Sequence, residues 1–314
     1  MILTVTFNPS IDRALFVESL KTGDTNRVVR TEVDAGGKGV NLSRVAHELG
    51  ADTLAIGFLG GSTGSMIRST LDGHGVAHDF LQVAGETRTN LSIEETGEER
   101  PPTTLNERGP ELCLEDVAQL RSHCQLYAEK HQGWVCLCGS VPPGVPKAAY
   151  LDFGKMLKAQ NCKLLVDADG ELLSEGIKCK PDLIKPNIHE AERLLGVRIE
   201  SEEGAISALK ELVAMLDEDG MAILSMGEQG ALLSAGGAYY RGMTPQVDAK
   251  STIGSGDSML GAFLWAQESR LSIEESFRYG LAAGAATAMT DGSQIGQKGE
   301  ITRLFTEATV ELIR

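Results

Sequence analysis

Apolar and polar positions change period several times along the chain. Ile2–Phe7 is a short β-branched and apolar run, closed by Asn8-Pro9-Ser10, and it predicts a first strand. Arg13–Val17, Arg27–Val33 and Thr89–Glu95 alternate with one polar side, which predicts a small exposed sheet. From Asn41 the period lengthens: Leu42, Val45, Ala46 and Leu49 keep helical spacing, and Gly50 stops the helix. A strand over Thr53–Phe58 and a helix around Ser65–Gly73 follow. Further strand-like runs are Trp134–Cys138, Lys163–Asp167, Leu183–Lys185, Ala222–Ser225 and Gly230–Ser234. Helical runs lie between several of them, at Leu114–Lys130, Ala148–Gln160, Ile188–Leu195 and Ile206–Asp217. Two late helices are expected, one starting at Asp257 and one at Ser272, where Glu275 completes a capping box.

Apolar strands alternating with helices predict an α/β fold with a mainly parallel sheet flanked by helices. The exposed-strand pieces interrupt that pattern and read as an inserted β-sheet lid. The expected division is 1–11, 34–86 and 107–314 for the α/β domain, with 12–33 and 87–106 for the lid. The polar stretch Gly97–Pro110 reads as a loop.

Composition narrows the function classes. A net charge of −15 repels nucleic acid and anionic membranes, so neither is an expected partner. Only 5% of residues are aromatic, which argues against base-stacking platforms. Six cysteines occur without a C-x-x-C pair and read as free thiols of a reducing compartment. The N-terminal run lacks a basic start, and no apolar run approaches membrane-span length, so a cytoplasmic protein is expected. In a chain this acidic, a phosphorylated substrate needs a locally positive pocket.

Several glycine-rich segments carry candidate chemistry. Ser251-Thr252-Ile253-Gly254-Ser255-Gly256-Asp257-Ser258 precedes an apolar helical run, so its backbone N–H groups and the helix dipole form an anion pocket. Asp257 beside that pocket is either a helix cap or a base for an attacking hydroxyl. Asp34-Ala35-Gly36-Gly37-Lys38-Gly39-Val40-Asn41 opens another helix and suits a polyol or phosphate. It is neither a Walker loop nor a dinucleotide fingerprint. Asp12 follows the first strand and is an acceptor for sugar hydroxyls or an Asx turn. Lys185-Pro186-Asn187-Ile188-His189-Glu190 is a helix cap, or a pair reaching Mg²⁺ through water. Ser225–Ala231 is a hairpin turn or a nucleotide contact. Arg27, Lys38 and Arg88 are the cations of interest, and Ser140 follows a strand without the spacing of a serine nucleophile. His74 and His78 are separated by glycines and lack a third ligand.

Taken in order, N-P-S-I-D, A-G-G-K-G-x-N, G-E-T-R, G-S-V-P-P-G, K-P-N-x-x-E, S-M-G-x-x-G-A and S-T-I-G-S-G-D-S span nearly the whole chain. This set resembles the ribokinase-like (PfkB) sugar kinases, and within them the branch of 1-phosphofructokinases and tagatose-6-phosphate kinases. The resemblance implies a Rossmann-like α/β domain with a β-sheet lid, through which two copies pair as a homodimer. It implies Asp257 as the catalytic base and the N–H groups of Gly254, Ser255 and Gly256 around the transferring charge. Asp12, Gly37, Gly39 and Asn41 would hold the sugar, and Arg27, Arg88, Lys38 and Ser140 its phosphate. Asn187 and Glu190 would organise Mg²⁺ through water, while Lys185, Asn187, Ser225, Gly227 and Gly230 would line the ATP site. The helix through Ala282–Ala286 would pass near the adenine.

The expected activity is ATP- and Mg²⁺-dependent phosphorylation of a ketohexose phosphate, with fructose 1-phosphate foremost. Tagatose 6-phosphate and fructose 6-phosphate are alternatives; a free-sugar kinase and a non-catalytic nucleotide or sugar sensor are the more distant ones. The chain departs from the family pattern at Asp167-Ala168-Asp169-Gly170, where Asp-Ser-Ser-Gly is common. Asp169 then adds a charge near the expected nucleotide phosphates.

Overall fold

The computed structural model describes residues 1–96, 102–131 and 133–313. Residues 97–101, within the stretch expected to be a loop, lie outside the described residues. The chain begins with β1 (Ile2–Thr6), β2 (Ser10–Val17), β3 (Val28–Gly36), α1 (Lys38–Leu49), β4 (Thr53–Leu59), α2 (Gly61–Gly73), β5 (His78–Gln82), β6 (Arg88–Glu95) and β7 (Thr103–Asn106). It continues through α3 (Leu114–Lys130), β8 (Trp134–Cys138), α4 (Ala149–Ala159), β9 (Lys163–Asp167), α5 (Gly170–Ile177), β10 (Leu183–Ile184), α6 (Ile188–Leu195) and α7 (Glu202–Ala214). The last elements are β11 (Met221–Ser225), β12 (Ala231–Ala235), β13 (Ala238–Met243), α8 (Ser255–Glu268), α9 (Ile273–Ala288), α10 (Lys298–Phe305) and β14 (Thr309–Ile313).

The large sheet runs β14-β13-β12-β11-β10-β9-β8-β1-β4-β5. It is parallel from β5 to β11, as the sequence pattern predicts, but antiparallel from β11 to β14. The hairpins there are made by the turn at Gly227–Gln229 and by Gly236-Gly237, both with positive φ. The central strands are buried on both faces, which is why they read as continuous apolar runs. Their alternation splits the core in two. Leu3, Val5, Val135, Leu137, Leu164 and Val166 pack toward α3, α4, α5 and α7. Ile2, Trp134, Cys136, Cys138 and Leu165 pack toward α1, α8 and α9.

A separate sheet has the order β3-β2-β6-β7. Here the expected loop over 97–110 needs correction, because Thr103–Asn106 forms the edge strand β7. All four of its residues are exposed, so it carries no apolar alternation to read. The late helix expected at Asp257 begins two residues earlier, at Ser255, because Gly254 at φ 77° supplies the turn into it. The helix expected at Ile206 begins at Glu202, capped by Ser201. The small sheet is tied to the body by Arg30, which pairs with Glu32 on its own strand and with Asp291 after α9.

Strand β1 switches direction in the strand order: the chain first adds β4 and β5 on one side, then β8, β9 and β10 on the other. Ligands of open α/β sheets gather at the carboxyl ends beside such a point. Gly57 fixes the register there, pairing with Thr6 at φ 149°. A Cβ at Gly57 would fall 1.9 Å from the Thr6 carbonyl oxygen. Gly57→Ala is therefore expected to destabilise the fold by about 1–3 kcal/mol or more, measured by urea denaturation. An unchanged midpoint would mean that this close approach constrains nothing.

Candidate active site

The register places Thr6, Cys138 and Asp167 in one row at the carboxyl edge of β1, β8 and β9. Asp167 shares the face of Leu165, which packs toward α1 and α8. A buried carboxylate is thereby aimed at the N-termini of two helices. Lys38, the first residue of α1, meets it: Nζ donates to Asp167 Oδ1 at 2.9 Å and to Glu190 Oε1 at 3.5 Å. Gly39 lets α1 approach this closely, since a Cβ there would lie 2.4 Å from Thr6 Oγ1. Burial works against the Lys38 charge, but Asp167, Glu190 and Asp257 outweigh it and hold the ammonium well above the ordinary lysine range. Burial likewise opposes the charge of Asp167, while Lys38 and Lys185 hold its carboxyl below the usual range.

Asp257 is buried in the first turn of α8 and makes no capping bond. Asn41, one turn into α1, donates from Nδ2 to Asp257 Oδ2 at 2.9 Å. Burial first, and the Asp167 charge second, push the Asp257 carboxyl up to about 7, against Lys38, Asn41 and Lys185. Gly254 is the N-cap of α8, and the N–H groups of Gly254 and Gly256 find no acceptor among the described residues. The Ser255 amide reaches back to Thr252 O at 3.3 Å, so it is already engaged in the loop's own turn. Lys185 is buried beneath the loop, and a Cβ on Gly256 would come within 2.8 Å of its ammonium. Two free amides, a helix N-terminus and a buried cation converge here, which suits a phosphoryl group.

The second wall is the start of the small sheet. Asp12 lies within β2 and forms no Asx turn. Its Oδ1 accepts from Ser10 Oγ at 2.7 Å and from Asn90 Nδ2 at 3.0 Å. Gly36 leaves room for it, because a Cβ there would overlap the carboxylate at 2.0 Å. Burial raises the Asp12 carboxyl despite its bonds to Ser10 and Asn90. A cavity of about 210 Å³ runs from Asp12, Ala14 and Asn90 to Ile253 of the anion loop and Ser293 after α9. Beside it, Arg88 is largely buried; one Nη donates to the Glu107 carbonyl at 3.4 Å, and Nε is buried without a partner. Burial lowers its affinity for the proton despite the nearby Asp12. Asn8 links Ser140 Oγ at 3.3 Å to the Arg108 carbonyl at 3.1 Å.

Asn8 Oδ1, Asn41 Oδ1, Asn90 Oδ1, Ser255 Oγ and Arg88 Nε are buried without hydrogen-bond partners. Unsatisfied buried polar atoms are costly; Asn90 lines the cavity and the other four belong to the segment after β1, α1, the anion loop and β6, where a polar ligand would complete them.

Asn187 and Glu190 form the reciprocal capping box of α6, so the cap reading holds. Glu190 Oε1 also faces Lys38. Among the described residues, no group of three or more His, Cys, Asp or Glu side chains is arranged to hold a metal ion directly. Ser225 lies beside Asn187 through an isolated bridge, and Gly227 and Gly230 take positive φ in the hairpin turn that follows. Asp169 meets the guanidinium of Arg193 at 2.8 Å.

Most candidate residues thus gather at one sheet edge. Three are placed differently from expectation, one being the Ser255 amide, engaged within its own loop. Lys38 is taken up by carboxylates instead of facing the sugar pocket, and Arg27 is exposed before β3 with no contact to Asp12. Asp167, Ser10 and Asn90 were not among the expected site residues. An acid closing the apolar run Lys163–Asp167 was the only local signal for the first. Asn90 is 78 positions from Asp12, and nothing local reveals the pairing.

Residues 5–298 match the sequence profile of the pfkB family of carbohydrate kinases. A 1-phosphofructokinase of Bacillus subtilis is 35% identical over 99% of both chains. A tagatose-6-phosphate kinase of Staphylococcus epidermidis is 31% identical over 92% of both. The solved structure of phosphofructokinase-2 from Escherichia coli in complex with substrates and products superposes with a TM-score of 0.90 at 26% identity, covering 98% of each chain. The chain belongs to the pfkB family of carbohydrate kinases.

Proposed function

We propose that this kinase transfers the γ-phosphoryl group of ATP to the free primary hydroxyl of a ketohexose phosphate, fructose 1-phosphate foremost, giving fructose 1,6-bisphosphate. The observation that carries the reading is a buried Asp257, bonded by Asn41, directly after an anion loop whose Ile253 borders a polar cavity lined by Asp12 and Asn90, with Arg88 close to Asp12. Asp12, held by Ser10 and Asn90, accepts hydrogen bonds from sugar hydroxyls together with Asn41 and the backbone at Gly37. Arg88, with Ser140 positioned by Asn8, takes the sugar's own phosphate. Asp257 accepts the hydroxyl proton as the oxygen bonds to the γ-phosphorus and the bond to the β-phosphate oxygen breaks, releasing ADP. The free N–H groups of Gly254 and Gly256, with Lys185 below them, meet the charge spread over the transferring group.

Asn187, Glu190 and Asp167 present hard oxygen donors beside the expected nucleotide site, a set that fits hydrated Mg²⁺ held through water. When bound with ATP, the ion would neutralise phosphate charge. Ser225, Gly227 and Gly230 line the nucleotide side. The small sheet acts as the lid that excludes water. Its outer face carries exposed Val29, Val33 and Leu105, and we place the homodimer contact there. A chain with every described cysteine free, and with no described helix long and apolar enough to cross a membrane, suits the cytoplasm.

ADP release should be measured with Mg-ATP and fructose 1-phosphate, tagatose 6-phosphate, fructose 6-phosphate, fructose or ribose. Turnover is expected on phosphosugars, fastest with fructose 1-phosphate, and Arg88→Ala should raise that KM by about ten- to a hundredfold. Turnover confined to free sugars would make Arg88 structural, and silence across the panel would favour a sensor.

Asp257→Asn is expected to lower kcat by about 10²–10⁴-fold with little change in ATP binding. In the wild type the ionised base is the active form. Its kcat/KM for the sugar phosphate should therefore fall about tenfold per pH unit below about 7. The same raised pKa means the folded state disfavours the charge, a cost fully present above about pH 7 and absent below the ordinary value of 3.8. Asp257→Asn should accordingly raise the melting temperature at pH 8, with the gain shrinking as the pH falls. A flat pH profile, or a mutant with normal turnover, would remove Asp257 from the role of base.

Outer-face substitution Val33→Glu should convert a dimer to a monomer by sedimentation velocity. A wild type already monomeric would dismiss the proposed contact.

A further inference from the structure

Asp169 occupies the N-cap position of α5, where an aspartate ordinarily bonds the helix's first amides, yet its side chain makes no such bond. It turns instead to Arg193 of α6, whose Nε and Nη2 reach the same carboxylate oxygen at 3.2 and 2.8 Å. Both side chains are about half exposed. An exposed pair of this kind contributes roughly 0–1 kcal/mol, whereas a lost N-cap costs roughly 1 kcal/mol. Stability therefore does not account for the arrangement.

Its position does suggest a use. Asp169 lies two residues beyond Asp167, and Arg193 lies three beyond Glu190 on the same helix face. A second ion pair thus joins the segment after β9 to α6, the same two parts of the chain that Lys38 bridges through Asp167 and Glu190. The Lys38 ammonium is already engaged by Asp167 and Glu190, so it is not free to meet an incoming polyphosphate. Lys185 is buried under the anion loop. Arg193 is half-exposed and close enough to Glu190 to feel its charge, and with Nε and Nη2 held on Asp169 its Nη1 edge remains for a second anion. A guanidinium oriented by a carboxylate on one side loses less freedom when it binds phosphate on the other.

We propose that Arg193 contacts the polyphosphate of the phosphate donor and that Asp169 is its positioning residue. The assignment rests on the ATP site proposed above.

The test compares the wild type with Arg193→Ala, Arg193→Lys, Asp169→Asn and the double variant Arg193→Ala/Asp169→Asn. Initial rates give KM for ATP and for the sugar phosphate separately, and calorimetric titration of ATP into sugar-free enzyme gives Kd. Arg193→Ala is expected to raise both ATP constants by about tenfold or more, leaving the sugar-phosphate KM and the melting temperature unchanged. Arg193→Lys should recover part of the loss. Asp169→Asn should show a smaller loss, and the double variant should be no worse than Arg193→Ala, because Asp169 acts through Arg193. ATP constants within about twofold of wild type in Arg193→Ala would overturn this assignment while leaving the kinase reading intact. Parallel changes in both substrates' KM with a lowered melting temperature would make the pair structural and overturn it too. A wild-type chain that neither binds nor uses ATP would overturn the kinase reading together with this one.

Discussion

One ammonium organises the carboxyl edge of the large sheet. Lys38 starts α1 and faces Asp167 at the end of β9 and Glu190 in the first turn of α6, with the Asp257 charge close enough to be felt. Three elements far apart in sequence are drawn to one point, and that point is at the carboxyl end of the sheet. Asp167 and Glu190 are buried while the Lys38 side chain is partly exposed, so removing Lys38 would leave two buried carboxylates uncompensated. The cluster therefore fixes the approach of α1 to the sheet, and with it Asn41, which bonds Asp257 from the next turn. Position and reactivity are linked: burial first, and then the same Asp167 charge that anchors Lys38, disfavour ionisation of Asp257.

That arrangement explains which features were legible in the sequence. Helices α3 and α6 match their expected bounds, since their apolar spacing and end signals are local. The glycine-rich segments around Gly37 and Gly254 were readable because positive φ and close approach leave few other residues possible. Asp12, Asn41, Asp257 and Lys185 stood beside such segments or at strand ends. The edge strands were harder. β7 is exposed along its whole length, and β14 buries none of its residues fully and pairs with a strand far away in sequence. In the site, Asp167 looked like any acid before a helix, and Asn90 like any polar residue in an exposed strand. Their meaning comes from register, which only the assembled sheet supplies. Lys38 shows the converse: the sequence placed it correctly at the mouth of α1 but could not reveal the carboxylates that engage it.

A phosphotransferase must prefer a sugar hydroxyl to water, and the connections between the two sheets bear on this. Arg30 of the small sheet pairs with Asp291 in the segment after α9, and Lys250 approaches the same carboxylate at 3.6 Å. Just before that segment, the Ala288 carbonyl accepts from the amides of Lys250 and Ser251, which lead directly into the anion loop. Thr287 adds bonds from its hydroxyl to Ser258 in α8 and from the Gly296 amide. The small sheet and the anion loop therefore share one support. In the sugar site proposed above, a ligand that draws Asp12 and Asn90 inward would act on Asp291 through β3, and so on the backbone that presents Gly254 and Gly256. Binding energy from the non-reacting part of the sugar is then available to align the phosphoryl site. Water offers no such leverage, since it cannot span the cavity from Asp12 to Ile253.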